Sequence, residues 1–110
     1  MGKLIILRGN SGSGKTTVAK ALQKKLGRNT MLISQDEVRR NMLWVDDGID
    51  TKALPLMAEL LRYGREHSEF SILEGIMYDE WYRSLFELAN EVYGSNVYAY
   101  YFDLSFEETV

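Results

Sequence analysis

Several residue types are scarce or absent in this 110-residue chain, and each shortage narrows the class of protein. There is no cysteine, which excludes a disulfide framework and a thiolate metal site. No apolar run approaches the roughly 20 residues that a membrane-spanning helix requires. The apolar run near the amino terminus is too short for a signal peptide. We therefore expect a cytoplasmic protein that does not enter a membrane.

Basic residues are also in short supply, since 13 Lys and Arg stand against 16 Asp and Glu. The resulting net charge of -3 argues against a broad basic surface for long nucleic acid. It leaves room for a small phosphate-binding pocket. The length and the 45% hydrophobic content suit a single domain that spans residues 1–110 around one core.

Two kinds of apolar pattern alternate along the chain. Strands are predicted at 3–7, 30–34, 70–75 and 96–104, and helices at 16–27, 35–43, 51–67 and 79–94. In the first helix, Val18, Leu22 and Leu26 lie on one face. The Tyr-rich fourth strand has the apolar character of a buried strand. Strands that alternate with helices indicate a parallel sheet with right-handed crossovers, and hence an α/β fold.

The most specific motif lies between the first strand and the first helix. Residues 9–16 match G-x-x-x-x-G-K-[ST] at every fixed position. A phosphate chain lies against bare backbone N–H groups, so side chains at the motif glycines would block its approach or forbid the required backbone angles. The predicted phosphate-binding residues are Gly9, Asn10, Ser11, Gly12, Ser13, Gly14, Lys15, Thr16 and Thr17.

Within this motif the polar side chains have distinct expected roles. Lys15 places a positive charge on the β- and γ-phosphates, and the Thr16 hydroxyl is a Mg²⁺ ligand. Thr17 is expected at the α-phosphate. GTPases, transporters and small-molecule kinases all use such a loop, so the loop alone does not identify the reaction. The N-K-x-D and D-x-x-G motifs of GTPases and the L-S-G-G-Q signature of transporters are absent, which favours ATP and a kinase.

Three segments together resemble small P-loop kinases: RGNSGSGKTT at 8–17, ISQDEVRR at 33–40 and ILEG at 72–75. That group includes gluconate and shikimate kinases, chloramphenicol phosphotransferase and zeta-toxin-type kinases, and the chain looks most like short bacterial uridine kinase-like or AAA-domain kinases. The resemblance implies a three-layer α/β/α fold of the nucleoside monophosphate kinase type. It also implies ATP and Mg²⁺ as cofactors.

In these kinases an arginine-bearing lid and a fifth strand follow the fourth strand. Here Ser105 and Glu108 have the spacing of a capping box, which predicts a helix that begins at Phe106, and the chain ends at Val110. We therefore expect a piece of a longer protein without its lid; a frayed tail after a complete four-stranded domain is the alternative. Asp103 is interpreted as a strand-end or helix-entry residue rather than a metal-organising acid.

Asp36 is the expected catalytic carboxylate, because it follows the second strand at the edge of the sheet where ligands bind. Transfer to an alcohol needs a carboxylate that orients the hydroxyl and accepts its proton, and the similar kinases have an acid here. Asp36 also suits a helix start, and both roles are compatible. Arg39 lies on a similar face and is expected to hold substrate, with a solvated helix face as the alternative.

Glu74 ends the third strand, which in the similar kinases lies beside the phosphate-loop strand. The resemblance implies that Glu74 binds Mg²⁺ through water or holds a substrate hydroxyl; a buried structural acid is the alternative. Gly75 is expected to let the backbone approach a ligand. Nearby aromatic residues suggest either a wall for a ring or core packing: Tyr78, Trp81 and Tyr82. Loop 44–50 is predicted to lie over the substrate side, where its two Asp residues either touch substrate or serve the turn.

The combined hypothesis is an ATP- and Mg²⁺-dependent phosphotransferase with Lys15 and Asp36 as catalytic residues. Its acceptor would be a hydroxyl of a small molecule, for example a nucleoside such as uridine. One alternative is a zeta-toxin-like kinase, or one acting on an antibiotic or a nucleic-acid 5′ hydroxyl. Another is an ATPase or nucleotide switch that has no phosphoryl acceptor.

Overall fold

The computed structural model describes residues 2–9 and 14–102. The strands are β1 (Lys3–Gly9), β2 (Met31–Ser34), β3 (Phe70–Gly75) and β4 (Val97–Phe102). The helices are α1 (Lys15–Leu26), a π-helix (Glu37–Leu43), α2 (Ala53–His67) and α3 (Asp79–Tyr93). Every predicted element within the described ranges is present. The predicted capping box and Asp103 lie outside the described residues.

The described strands form one parallel sheet in the order β2-β3-β1-β4. In this register Leu7 of β1 and Ser34 of β2 are both paired with Glu74 of β3. Gly9 of β1 is paired with Phe102 of β4. Because all the strands run the same way, their carboxyl ends meet at one edge of the sheet. The fold is the α/β type that the alternation of elements predicts.

Helices cover both faces of this sheet. Ile6 belongs to the larger buried cluster, which includes side chains of α2 and α3 such as Met57 and Leu85. Leu7 belongs to a smaller cluster with Ala19 of α1. Successive side chains of a strand point to opposite faces, so neighbouring residues enter different clusters. The result is the three-layer α/β/α arrangement.

One packing expectation is wrong. Most of β4 is exposed, including Tyr98 and Tyr100, although its sequence is typical of a buried strand. The reason is position: β4 lies at one edge of the described sheet. An apolar strand can be buried without loss of stability. Whether it is buried depends on its place in the sheet.

None of the described helices has both the length and the apolar character needed to cross a membrane.

The contact between α2 and β3 depends on the absence of a side chain at Gly64. A Cβ atom at this position would lie 2.2 Å from the Ser71 hydroxyl oxygen and 3.2 Å from that of Tyr93. Such distances are shorter than van der Waals contact, so the helix approaches the sheet as closely as it does only with glycine there.

We predict that Gly64→Ala destabilises the protein. Alanine ordinarily stabilises a helix interior by about 1 kcal/mol relative to glycine. Here overpacking against Ser71 reverses the sign, with a loss of about 1–3 kcal/mol in the free energy of unfolding. Urea unfolding measures the change. The double variant Gly64→Ala/Ser71→Ala removes the clashing oxygen and is expected to recover part of the loss; a stabilised single variant would contradict the prediction.

Candidate active site

The start of α1 is shaped by Gly14. This residue has φ +86°, in the left-handed region, and a Cβ atom there would meet nothing within 4 Å. Glycine is therefore required by the backbone conformation and not by space. Lys15 is the first residue of α1 and is buried. The phosphate-loop residues Asn10, Ser11, Gly12 and Ser13 lie outside the described residues.

Gly9 is constrained by a neighbouring strand. A Cβ atom at Gly9 would lie 2.3 Å from the carbonyl oxygen of Phe102, its partner in β4. The motif predicts glycine here so that a phosphate can approach the backbone. Within the described residues, glycine is also needed because a larger side chain would clash with β4.

Glu74, near the end of β3, meets Thr16 in the first turn of α1. The Thr16 hydroxyl donates to Glu74 Oε1 at 3.3 Å, and Glu74 is only 2% exposed. Thr17, one residue on, is exposed. A hydroxyl and a carboxylate are hard oxygen donors of the kind that Mg²⁺ prefers, so this pair fits the ion. Among the residues that the structure describes, no group of three or more His, Asp or Glu side chains is arranged to hold a metal.

Asp36 stands on the surface just beyond β2, with its side chain 66% exposed. Its Oδ1 lies 3.4 Å from Arg39 Nη2 and 3.8 Å from Arg40 Nε. Arg39 is mostly buried, at 16% exposure, while Arg40 is exposed. The spacing of these residues along the helical backbone brings them together. Asp36 and Arg39 thus share a face, as the sequence indicates, and their side chains form an ion pair.

The predicted helix at 35–43 is helical but wound as a π-helix over Glu37–Leu43. It ends at Trp44, which adopts left-handed angles and is 90% exposed. The Val45 N–H then donates to the Arg39 carbonyl at 2.9 Å. The π-helix connects Asp36 to loop 44–50.

Gly75 makes room for a protein side chain. It has φ +153°, and a Cβ atom there would lie 2.6 Å from Gln35 Cβ. Gln35 is itself 1% exposed. The sequence predicts that Gly75 lets a ligand approach the backbone. Among the described residues, the group that a side chain at Gly75 would clash with is Gln35. The ends of β2 and β3 are therefore in direct contact beside Asp36 and Glu74.

A hydrogen-bonded chain of three side chains continues from Gln35. Gln35 Nε2 donates to the Tyr82 hydroxyl at 2.8 Å, and that hydroxyl donates to Asp47 Oδ1 at 2.5 Å. Burial raises the pKa of Tyr82 well above its ordinary value, and the hydrogen bond to Asp47 raises it further. Tyr82 is therefore protonated throughout the physiological range.

The aromatic cluster divides into two parts. Tyr82 is fully buried and belongs to the core. Tyr78 is exposed, and its ring meets the Trp81 ring edge-on with 5.1 Å between centroids. The pairing of Tyr82 with Gln35 and Asp47 could not be predicted from the sequence. Tyr82 is 47 positions from Gln35 and 35 positions from Asp47, and no local pattern predicts contacts over such separations.

Arg8 precedes the phosphate motif and points to the face covered by α3. Its guanidinium donates to the Met77 carbonyl and lies 4.3 Å from the centre of the Phe86 ring. Among the described residues no carboxylate lies within ion-pair distance of it. A cavity of about 290 Å³ opens beside it. Its lining consists of Arg8, Gly9, Ile76, Met77, Tyr78, Asp79 and Tyr101.

Solved structures similar to this chain include three kinases or proteins assigned as such. A provisionally assigned kinase from Chloroflexus aurantiacus has a TM-score of 0.67 and 19% identity, with 91% of this chain matched to 58% of that one. An APS kinase from Mycobacterium tuberculosis has a TM-score of 0.56 and 24% identity, over 93% of this chain and 76% of that one. A gluconokinase from Sinorhizobium meliloti has a TM-score of 0.59 and 19% identity, over 91% and 56%.

The chain thus spans little more than half the length of two of these proteins. No curated protein matches the sequence. The model of the AAA domain family matches residues 4–109, which is almost the whole chain and includes the phosphate motif, Asp36 and Glu74. The chain therefore belongs to the AAA domain family and has the fold of small P-loop kinases.

Proposed function

We propose that the chain is the nucleotide- and acceptor-binding part of an ATP- and Mg²⁺-dependent kinase that phosphorylates a hydroxyl of a small molecule. The observation that carries this proposal is the pairing of the Thr16 hydroxyl with the buried Glu74 carboxylate at 3.3 Å. A buried carboxylate is costly unless it serves a charge or a hydrogen bond. Its position at the phosphate motif suits a bound cation and nucleotide.

On the donor side, the residues of the phosphate motif hold the nucleotide. The 12-residue helix α1 begins at Lys15, and the dipole at the amino-terminal end of a helix favours an anion. Lys15 supplies a positive charge to the β- and γ-phosphates. Thr16 would hold Mg²⁺ directly and Glu74 would hold it through water. The ion, when bound, neutralises charge on the phosphate oxygens.

On the acceptor side, the exposed carboxylate of Asp36 orients the acceptor hydroxyl and takes its proton. β3 lies between β2, which Asp36 follows, and β1, which leads into the phosphate motif. The acceptor and the transferred phosphoryl group would therefore meet over the carboxyl end of β3. Arg39 pairs with Asp36 and provides a donor for a polar or anionic substituent of the acceptor.

The identity of the acceptor belongs to the proposal as well. A nucleoside such as uridine is one candidate, supported by the resemblance of the motifs to uridine kinase-like proteins. Gluconate and APS are others, because proteins of similar fold bear the corresponding kinase names. An antibiotic and an oligonucleotide with a 5′ hydroxyl complete the set. Since the chain spans 58% of the Chloroflexus protein, these acceptors should be tested on the longest natural form of the protein.

ATP turnover separates the kinase from an ATPase or nucleotide switch. ADP release is measured with ATP and Mg²⁺, in the absence and then in the presence of each acceptor. A kinase consumes ATP faster with its acceptor and yields a phosphorylated product that mass spectrometry detects. Turnover that none of the acceptors stimulates would count against the kinase and favour the ATPase.

We predict that Thr16→Val weakens binding of Mg²⁺-ATP by about tenfold or more, because valine has a similar shape but no hydroxyl. Thr16→Ser keeps the hydroxyl and is expected to bind nearly as well as the wild type. Isothermal titration calorimetry with ATP, with Mg²⁺ and with EDTA, measures both. If the valine variant binds Mg²⁺-ATP as tightly as the wild type and loses as much affinity in EDTA, Thr16 does not hold the ion.

We predict that Asp36→Asn leaves ATP binding intact and lowers phosphoryl transfer by about 10²–10⁴-fold, since the amide cannot accept the acceptor proton. Glu37→Gln removes a neighbouring exposed acid and serves as the matched control, with transfer expected near wild type. Steady-state kinetics on the acceptor found in the screen measures both. Unchanged transfer in the asparagine variant would reduce Asp36 to a helix-start residue.

A further inference from the structure

We propose that Gln35, Tyr82 and Asp47 form a positioning network that holds segment 45–51 beside Asp36 and Arg39, and thereby sets the geometry of the acceptor side. This inference rests on the proposed function, because it assigns the acceptor to that side. The three residues are positioning residues, and none of them reacts with the substrate.

The centre of the network is the Tyr82 hydroxyl. It accepts from Gln35 and donates to Asp47, so both of its hydrogen-bonding functions are used inside the protein. Tyr82 is fully buried, and a buried hydroxyl without partners is destabilising. The arrangement therefore has one stable geometry, in which α3, the end of β2 and segment 45–51 are fixed relative to one another.

Gln35 transmits this geometry to the site. It precedes Asp36 directly in the chain, and its Cβ occupies the space that a side chain at Gly75 would need. Gly75 in turn follows Glu74. A shift of Gln35 would therefore move the backbone that carries Asp36 and would disturb the residue next to Glu74.

Asp47 fixes the other side of the network. Its Oδ1 also accepts from the Gly48 N–H at 3.0 Å, and the Thr51 hydroxyl donates to the Asp46 carbonyl at 2.8 Å. Segment 45–51 is thus folded on itself before it meets Tyr82.

Arg39 connects segment 45–51 to Asp36. Its carbonyl accepts from the Val45 N–H at 2.9 Å, and its guanidinium donates to the Val45 carbonyl at 3.4 Å. The same guanidinium pairs with Asp36. A continuous path of contacts therefore runs from Gln35 through Tyr82 and segment 45–51 to Arg39 and back to Asp36.

The contacts of the buried residues Gln35 and Tyr82 determine where the exposed Asp36 lies. Asp36 is 66% exposed, and exposed ion pairs hold a side chain only weakly. Its pairs with Arg39 and Arg40 are therefore insufficient to fix the carboxylate. Misplacement of a reacting group by about 1 Å can lower a rate about 10²-fold, so the acceptor reaction depends on the buried contacts below.

The test compares two buried tyrosines of α3. Tyr82→Phe removes the hydroxyl at the network. Tyr93→Phe removes an equally buried hydroxyl that donates to the Leu61 carbonyl at 2.8 Å, 11 residues along the helix and so about 16 Å away. Tyr82→Phe loses two hydrogen bonds, one of them to a carboxylate, and Tyr93→Phe loses the bond to the Leu61 carbonyl. A purely structural role predicts that the effect of each variant on function follows its loss of stability, so the two are compared at matched global stability.

We predict that Tyr82→Phe lowers kcat/KM for the acceptor by about tenfold or more, while KM for ATP changes by less than about twofold. Tyr93→Phe is expected to leave both parameters near wild type. Urea unfolding records the loss of stability in each variant and checks that both are folded during the assay. Equal effects of the two variants on the acceptor, or no effect of Tyr82→Phe, would overturn the proposal.

Two substitutions of Asp47 distinguish positioning from direct contact with substrate. Asp47→Asn keeps an oxygen that accepts from Tyr82 and from the Gly48 N–H, so most of the acceptor activity is expected to remain. Asp47→Ala removes the acceptor and is expected to resemble Tyr82→Phe. If the asparagine variant is as defective as the alanine variant, the charge of Asp47 itself is used and the positioning role is refuted.

Amide hydrogen exchange tests the coupling without any kinase assay. Tyr82→Phe is expected to speed exchange in segment 45–51 about tenfold relative to Tyr93→Phe, at matched global stability. Equal protection in the two variants would refute the network even in an active kinase. Faster exchange in a protein that no acceptor stimulates would refute the proposed function and leave the network standing.

Discussion

The pairing of β3 with strands on both sides places the candidate groups of the site. Glu74 lies opposite Leu7 of β1 and opposite Ser34 of β2 in the same register. The phosphate motif follows β1, and Asp36 follows β2, so the proposed donor and acceptor sides stand on either side of Glu74. A shift of one residue in the pairing of β1 with β3 would turn the Glu74 side chain to the other face relative to β1 and separate it from Thr16.

The two carboxylates of the site have different environments, and this difference matches their proposed roles. Glu74 is buried and accepts a hydrogen bond from the Thr16 hydroxyl, which suits the proposed binding of a cation at this end of the sheet. Asp36 is exposed and lies between two arginines, where water reaches it as well. Coulomb interactions are far stronger at low dielectric, so Glu74 suits a fixed electrostatic role. Asp36 suits a group that meets an exchanging substrate.

Much of the fold was predictable, because its signals are local. The phosphate motif, the alternation of elements and the acids that end β2 and β3 are written in short stretches of sequence. The identity of distant neighbours was not predictable. Gly9 and Gly75 were recognisable as positions that need glycine, but nothing in the sequence tells that Phe102 and Gln35 are the groups they accommodate. The exposure of β4 had the same cause, since a strand's place in the sheet is a tertiary property.

Trp44 gives the acceptor side a built-in optical reporter. The chain contains only two tryptophans, and Trp44 is 90% exposed at the end of the π-helix, whereas Trp81 is partly covered and touches Tyr78. Their indoles therefore differ in access to water-soluble quenchers such as iodide. Fluorescence that iodide quenches readily comes mainly from Trp44. A ligand that orders the segment beside Asp36 would change the part of the fluorescence that iodide quenches. A change confined to the amino-terminal turn of α3 would instead change the part that iodide does not reach, which comes from Trp81.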